Sequence, residues 1–255
     1  MIELILGGFV ALILLIAPVW LIFRPGWMGF AEKTLWDWMV ILSLPAMVSF
    51  GAVAVSAIAR EIESERSEEV AVQQFIDRIS GAYASGVPDR TVLAVARAQT
   101  IAVLRLVSGE RAGRALNFLN DLGALAEISP NLEFLDLSKI ELKGLPLAGF
   151  DFEGSDLRDA ELEGTDLTGA DFEESDLRGA DMKDAVAKGA SFENARMKGA
   201  DLDHADLRGA DLGSAIGLDD SQLGRACIDE TTLLPPDIEA PLFNGPGCTG
   251  RAEDD

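Results

Sequence analysis

The sequence predicts an all-β solenoid in its second half, a coil with a corner every five residues. A small helical linker joins it to an N-terminal hairpin of two membrane-spanning helices. Three observations predict this. An apolar residue recurs every five positions from Leu132 to Leu212 without exception. A small residue stands two positions before each later centre, from Ser155 to Ala210. Two long apolar runs, residues 2–23 and 36–59, carry one charge each, Glu3 and Asp37, near their ends.

Each apolar run is long enough to cross about 30 Å of hydrocarbon as a helix. Pro18 and Pro45 interrupt the runs, which neighbouring helices can accommodate in a membrane. Trp20, Trp27, Trp36 and Trp38, all the tryptophans of the chain, flank the connection at 24–35 and read as anchors at the headgroup level. The first run lacks a basic start and a small-residue cleavage site, so it reads as an anchor and not as a leader. Ser49, Ala52 and Ser56 have the spacing for close helix contact. Arg60, Arg66 and Arg78 follow the second run, against Arg24 and Lys33 in the connection, and this asymmetry points to a cytoplasmic C-terminal half. The expectation is an integral protein of a bacterial inner membrane, with the lipid bilayer as one partner.

Residues 1–59 thus form the hairpin, and 60–129 a helical linker. Within the linker, Val92, Val95, Ala96, Gln99, Ala102, Val103 and Leu106 form one helical stripe, and Ala112, Ala115, Leu116, Leu119 and Leu122 another. Arg90, Arg97, Arg105, Arg111 and Arg114 form a basic set that Glu110 and Asp121 can neutralise locally. An acidic partner or anionic headgroups are the sharper use of that set.

The solenoid spans 130–215. Neither a 3.6-residue helix nor a two-residue strand keeps a five-residue series on one face over this length, whereas a closed, stacked coil does. Units such as Ala170-Asp171-Phe172-Glu173-Glu174 and Ala200-Asp201-Leu202-Asp203-His204 resemble the pentapeptide-repeat family, whose pattern is A-[DN]-[LF]-X-X. The resemblance is strict over 150–214 and loose over 130–149. It implies a right-handed quadrilateral β-helix with four pentapeptides per coil.

Positions twenty apart then stack. Phe152, Phe172 and Phe192 form an aromatic ladder inside. Glu153, Glu173 and Glu193 form an acidic column outside, and Arg158, Arg178 and Lys198 a basic column on the adjoining face, which offsets the repulsion within the first. Both columns are candidate interaction surfaces. Ala170, Ala180, Ala190 and Ala200 are small because they point into a narrow interior. Leu135, Ile140, Leu145 and Phe150 break that rule in the first coil, where the interior widens or the linker covers it. Residues 216–255 form a capping helix around 219–227, with acidic N-cap residues, and an acidic tail.

The formal net charge is −22; residues 150–215 hold 18 of the 43 acidic residues and 7 of the 21 basic ones. That field repels nucleic acid and favours basic partners. Aspartates 151, 156, 166, 171, 176, 181, 201, 206 and 211 each precede a centre, where a carboxylate can bond its own turn. They are therefore not read as acid–base pairs. His204, the single histidine, reads as solvated. Cys227 reads as a small apolar filler, and a bridge to Cys248 would need an oxidising compartment. No catalytic residue, metal ligand, cofactor or small-molecule substrate is expected. The expected function is a membrane-anchored scaffold or accessory subunit that presents the coil to a protein partner. The alternatives are an acidic DNA mimic acting on a nucleic-acid enzyme, as the resemblance allows, and a membrane-surface regulator working through the 60–129 helices.

Overall fold

The computed structural model describes residues 35–84, 90–128 and 131–238, with side chains from Ser49 onward. The chain divides into two compact units, Met1–Glu61 and Ile62–Asp255. Helix α1 is Leu35–Tyr83, a single element of 49 residues.

Among the described residues, no helix is long and apolar enough to cross a membrane. This finding overturns the expected integral membrane protein of the bacterial inner membrane with a cytoplasmic C-terminal half. The second expected span, 36–59, is the leading part of α1. The helix does not stop at Ala59 but continues over Arg60, Glu61, Glu63, Glu65 and Arg66. A run of apolar residues thus opens a longer, charged helix instead of forming a bounded element of its own. The first expected span, the 24–34 connection, Trp20 and Trp27 lie outside the described residues. Trp36 and Trp38 lie in the first turn of α1.

In the second unit, α1 buries Val72, Phe75 and Ile79. Helix α2 is Arg90–Leu104, α3 is Gly109–Asp121 and α4 is the short turn Leu125–Ile128. The buried stripe of α2 is Ala96, Thr100, Val103 and Leu104, one residue round from the stripe expected; Val95 and Leu106 face outward. Thr100 is the reason. Its hydroxyl donates to Ala96 O at 2.9 Å, so a polar residue sits in the core without an unmet hydrogen bond. Helix α3 buries Ala112, Ala115, Leu116 and Leu119, with Leu122 just past its end and exposed. Phe75 and Phe118 meet edge to face at 6.3 Å.

Helix α3 lies directly on the first coil of the solenoid. A Cβ at Gly109 would overlap the carbonyl of Ser138, and one at Gly113 would stand 3.0 Å from Glu141 O. Asn117 Nδ2 donates to that same Glu141 carbonyl at 3.0 Å. Leu135, Ile140, Leu145 and Phe150, the large residues of the first coil, are all buried. The helices thus close the end of the apolar interior that a solenoid otherwise leaves open.

The coil itself is a run of parallel bridges between residues twenty apart, from Asp136↔Asp156 to Arg196↔Ile216. Four pentapeptides therefore make one turn and four flat walls. Wall 1 carries Asp136, Asp156, Asp176, Arg196 and Ile216; wall 2 carries Glu141, Glu161, Asp181 and Asp201. Wall 3 carries Pro146, Asp166, Val186, Asp206 and Cys227; wall 4 carries Asp151, Asp171, Ser191, Asp211 and Leu233. The last turn loses the register by one residue at Asp206↔Cys227 and by two at Asp211↔Leu233. There the short helix α5, Asp220–Leu223, replaces a pentapeptide. Asp219 caps it by accepting from Ser221 N–H and Gln222 N–H, and Gln222 Nε2 donates to Met197 O and Ala200 O at 2.9 and 2.8 Å. Cys227 is buried, as a filler is, and it is disulfide-bonded; Cys248 lies outside the described residues.

Candidate functional site

One pentapeptide shows why the residue types recur. In Ser155–Asp159, four backbone N–H groups go to carbonyls. Ser155 donates to Phe152 O (3.0 Å), Asp156 to Leu135 O (2.9 Å), Leu157 to Asp176 O (2.8 Å) and Asp159 to Arg178 O (3.1 Å). The fifth, Arg158 N–H, is left over by the ladder, and the Asp156 side chain accepts it at 3.2 Å. Each of the nine wall aspartates singled out in the sequence takes the N–H two residues on in this way. Every N–H of such a unit is satisfied, which a buried-walled coil requires.

The last residue of each unit from Phe134 to Gly209 turns the corner with positive φ, the conformation type II turns demand at that place. Gly179 (φ 72°) illustrates the demand twice: a Cβ there would also stand 2.6 Å from Asp159 Oδ1. His204 (φ 60°) occupies the same corner position, its N–H donating to Arg225 O at 3.2 Å.

Inside, Phe152 stacks on Phe172 at 4.9 Å and Phe172 on Phe192 at 5.1 Å, with planes within 3°. Ala170, Ala180, Ala190 and Ala200 are buried beside the centres. Ser155 Oγ donates to Leu132 O, and Thr165 Oγ1 to Leu142 O, at 2.5 and 2.8 Å. The buried hydroxyl of Ser175 has no partner among the described residues.

Outside, three walls answer their own carboxylates. On wall 1, Arg158 and Arg178 fold back as forks onto Asp156 and Asp176, with Nη2–Oδ2 distances of 2.5 and 2.6 Å. Each pair lies two residues apart on one wall, and the arginine holds its partner's carboxyl below the usual range. On wall 3, Asp206 is 3 % exposed; burial pushes its carboxyl up, but Arg208 and Lys188 together outweigh that and lower it. On wall 2, Lys143 bridges Glu161 and Glu163 at 2.9 and 3.4 Å, and Arg225 pairs with Asp203.

Wall 4 is different. Glu133, Asp151, Glu153, Asp171, Glu173, Glu174, Glu193 and Asp211 stand on it, and no lysine or arginine does. Carboxylate oxygens of Glu133, Asp151 and Glu153 lie within 4.8 Å of one another. Glu153 is raised above the usual range by local desolvation and by the charges of Glu133, Glu173, Asp151 and Asp171. Asp151 is raised by burial and by Glu133. The expected compensation of the Glu153, Glu173 and Glu193 column by Arg158 and Arg178 is therefore not what the structure shows, because those arginines serve wall 1. Lys198, third in the basic column, lies beside Gly217. The Asp-x-Arg spacing at 156–158, 176–178 and 206–208 carried that signal. Three of the five linker arginines are likewise engaged within the fold. Arg97 donates to Ile128 O and Glu127 O, while Arg111 and Arg114 pair with Glu68 and Glu69 of α1 instead of with Glu110 and Asp121.

The family profile for Pentapeptide repeats matches in eight copies, over residues 136–174, 147–184 and 175–213. This chain is a pentapeptide-repeat protein. Solved structures of similar chains carry the same kind of repeat. One is the pentapeptide-repeat protein Rfr23 from the cyanobacterium Cyanothece 51142, 30 % identical, covering 37 % of this chain and 64 % of that one, with a TM-score of 0.33. The chain thus spans less than two thirds of that protein. Another is alr5209 from Nostoc PCC 7120, 25 % identical over 49 % of this chain and 85 % of that one, TM-score 0.31. A third is AT2G44920 of the Arabidopsis thaliana thylakoid lumen, 30 % identical over 37 % and 72 %, TM-score 0.16. No curated protein matches closely enough to count as a relative. The repeat pattern accounts for the walls of this pentapeptide-repeat chain, and the charges on each wall are its own.

Proposed function

We propose that the chain is a non-catalytic interaction scaffold whose coil presents charged walls to a protein partner. One observation carries this reading. The carboxylates that recur through the repeat, and that could have served as acids and bases, are each bound by the amide of their own turn. Asp181, for example, accepts Lys183 N–H at 3.1 Å, and Asp201 accepts Asp203 N–H at 2.9 Å. A carboxylate held in this way stiffens a surface and is poorly placed to move protons, since protonation would cost it the bond. The result is a flat-sided body whose walls differ in charge. The helices 62–128 close one end of it and spend Arg97, Arg111 and Arg114 internally, while the walls stay open to a partner.

The test is light scattering coupled to size exclusion on full-length chain drawn gently from its own cells. The reading expects a mass above that of the chain alone, falling to it at high salt as charged contacts are screened. Elution as a free monomer at all salt concentrations sinks it.

A further inference from the structure

Among the described residues, the eight carboxylates of wall 4 pair with no cation, where each neighbouring wall brings in at least one to its own acids. The repeat could have neutralised it at no structural cost, since the position after the centre accepts Arg158 and Arg178 on wall 1 and Lys188 on wall 3. On wall 4 that position is Glu133, Glu153, Glu173 and Glu193, stacked coil on coil above a ladder spaced at 4.9 and 5.1 Å.

A second, independent feature sits at the foot of the same wall. Phe134 is 67 % exposed and holds φ at 54°, a conformation bulky residues avoid. The Cδ1–Cε1 edge of its ring packs against Gly154, where a Cβ would overlap those two carbons. Phe134 follows Glu133 in the chain and its N–H donates to Glu153 O at 2.9 Å, which sets its exposed ring on the wall that carries both glutamates. An aromatic face next to fixed carboxylates suits a guanidinium better than an ammonium, because the planar fork can both stack and bond two oxygens.

We infer that wall 4 docks an arginine-bearing segment of a protein partner, with guanidinium groups on the glutamate column and one over the Phe134 ring. This rests on the scaffold reading and deepens it by naming the wall and the chemistry of what covers it. Nucleic acid is repelled by the same field.

The probe is a fluorescent synthetic peptide of alternating arginine and threonine, titrated into the full-length chain at physiological salt and followed by anisotropy. Three variants decide: E133Q/E153Q/E173Q/E193Q on wall 4, E141Q/E161Q/E163Q/D184N on wall 2, and F134A. The two fourfold variants remove the same charge. The wall-4 variant is expected to lose about tenfold or more in affinity, the scale of several charge-assisted contacts. The wall-2 variant should lose less than about twofold, as screening leaves distant charges little effect. F134A should weaken the arginine peptide and leave a lysine–threonine peptide nearly unchanged. Equal loss in the two fourfold variants would mean general acidity and overturns the proposal, as does undiminished binding to the wall-4 variant. Thermal unfolding of each variant guards against misfolding, and E173Q/E193Q replaces the fourfold variant if that fails to fold. Any of these failures leaves the scaffold reading intact, which falls only if the chain is a monomer in its own cells.

Discussion

The rings of Phe172 and Phe192 lie parallel at 5.1 Å, twenty residues apart in sequence and one coil apart in space. With Phe152 stacked on the other face of Phe172, the middle ring has aromatic neighbours above and below. Phe172→Ala should cost about 3–5 kcal/mol in equilibrium unfolding, since it removes a fully buried ring and leaves a void in a coil that cannot collapse inward. Phe172→Leu should cost clearly less. An alanine variant as stable as wild type would mean the ladder does not bear on stability.

The interior is as intolerant of addition as of removal. Ala180 is fully buried two residues before Met182, in the narrow series. Ala180→Leu should destabilise by about 1–3 kcal/mol or more through overpacking. Thermal melts of the variant and wild type that coincide would contradict the four-walled geometry.

Asp181 accepts Lys183 N–H at 3.1 Å and forms no ion pair among the described residues, so it isolates the role of the wall aspartate. Asp181→Ala should cost about 0.5–1.5 kcal/mol, and Asp181→Asn less, because the amide oxygen still accepts. Equal losses from the two substitutions would show that charge, and not the turn bond, is what matters there. In the opposite direction, Ser175→Ala removes a buried hydroxyl with no partner and should stabilise by about 1 kcal/mol in urea unfolding.

Acid should act with opposite signs on two walls. Asp156 and Asp176, lowered by their arginines, contribute stability that is present above the unfolded carboxylate range and is lost as pH falls through their folded values. Glu153, raised by local desolvation and like charges, does the reverse. Its ionised form opposes folding, and the opposition fades as pH falls towards its ordinary value of 4.5. Glu153→Gln should therefore be at least as stable as wild type at neutral pH, with the advantage gone in acid. Asp176→Asn should be less stable at neutral pH, with the deficit gone in strong acid. Unfolding midpoints measured across that range check both signs.

The coil was legible because its signal is purely periodic. A centre at every fifth residue from Leu132 to Leu212 and a small residue before it leave few alternatives. The bond from each wall aspartate to its own turn could also be anticipated from residue chemistry. The ion pairs could not be placed as easily. Arg158 was assigned by column to the Glu153 series, but a side chain reaches an acid on its own wall two residues back more directly than one round a corner. The α2 stripe, set by spacing, took in Gln99 and passed over Thr100, which is a core residue because its hydroxyl bonds Ala96 O. The apolar run at 36–59 was read as a bounded span, whereas it opens a 49-residue helix that continues through Arg60–Arg66. Hydropathy measures a window and not where the element ends. Nothing local in the sequence marks Cys227 as bonded.

The central claim is that one acidic wall of a rigid coil recruits a protein partner. Quantitative mass spectrometry of what co-isolates with full-length chain from its own cells tests it most directly, comparing wild type with the wall-4 and wall-2 glutamine variants. The account predicts a defined set of proteins, carrying arginine-rich segments, that is retained by the wall-2 variant and lost from the wall-4 variant. The same set from all three chains, or the chain recovered alone each time, would contradict it.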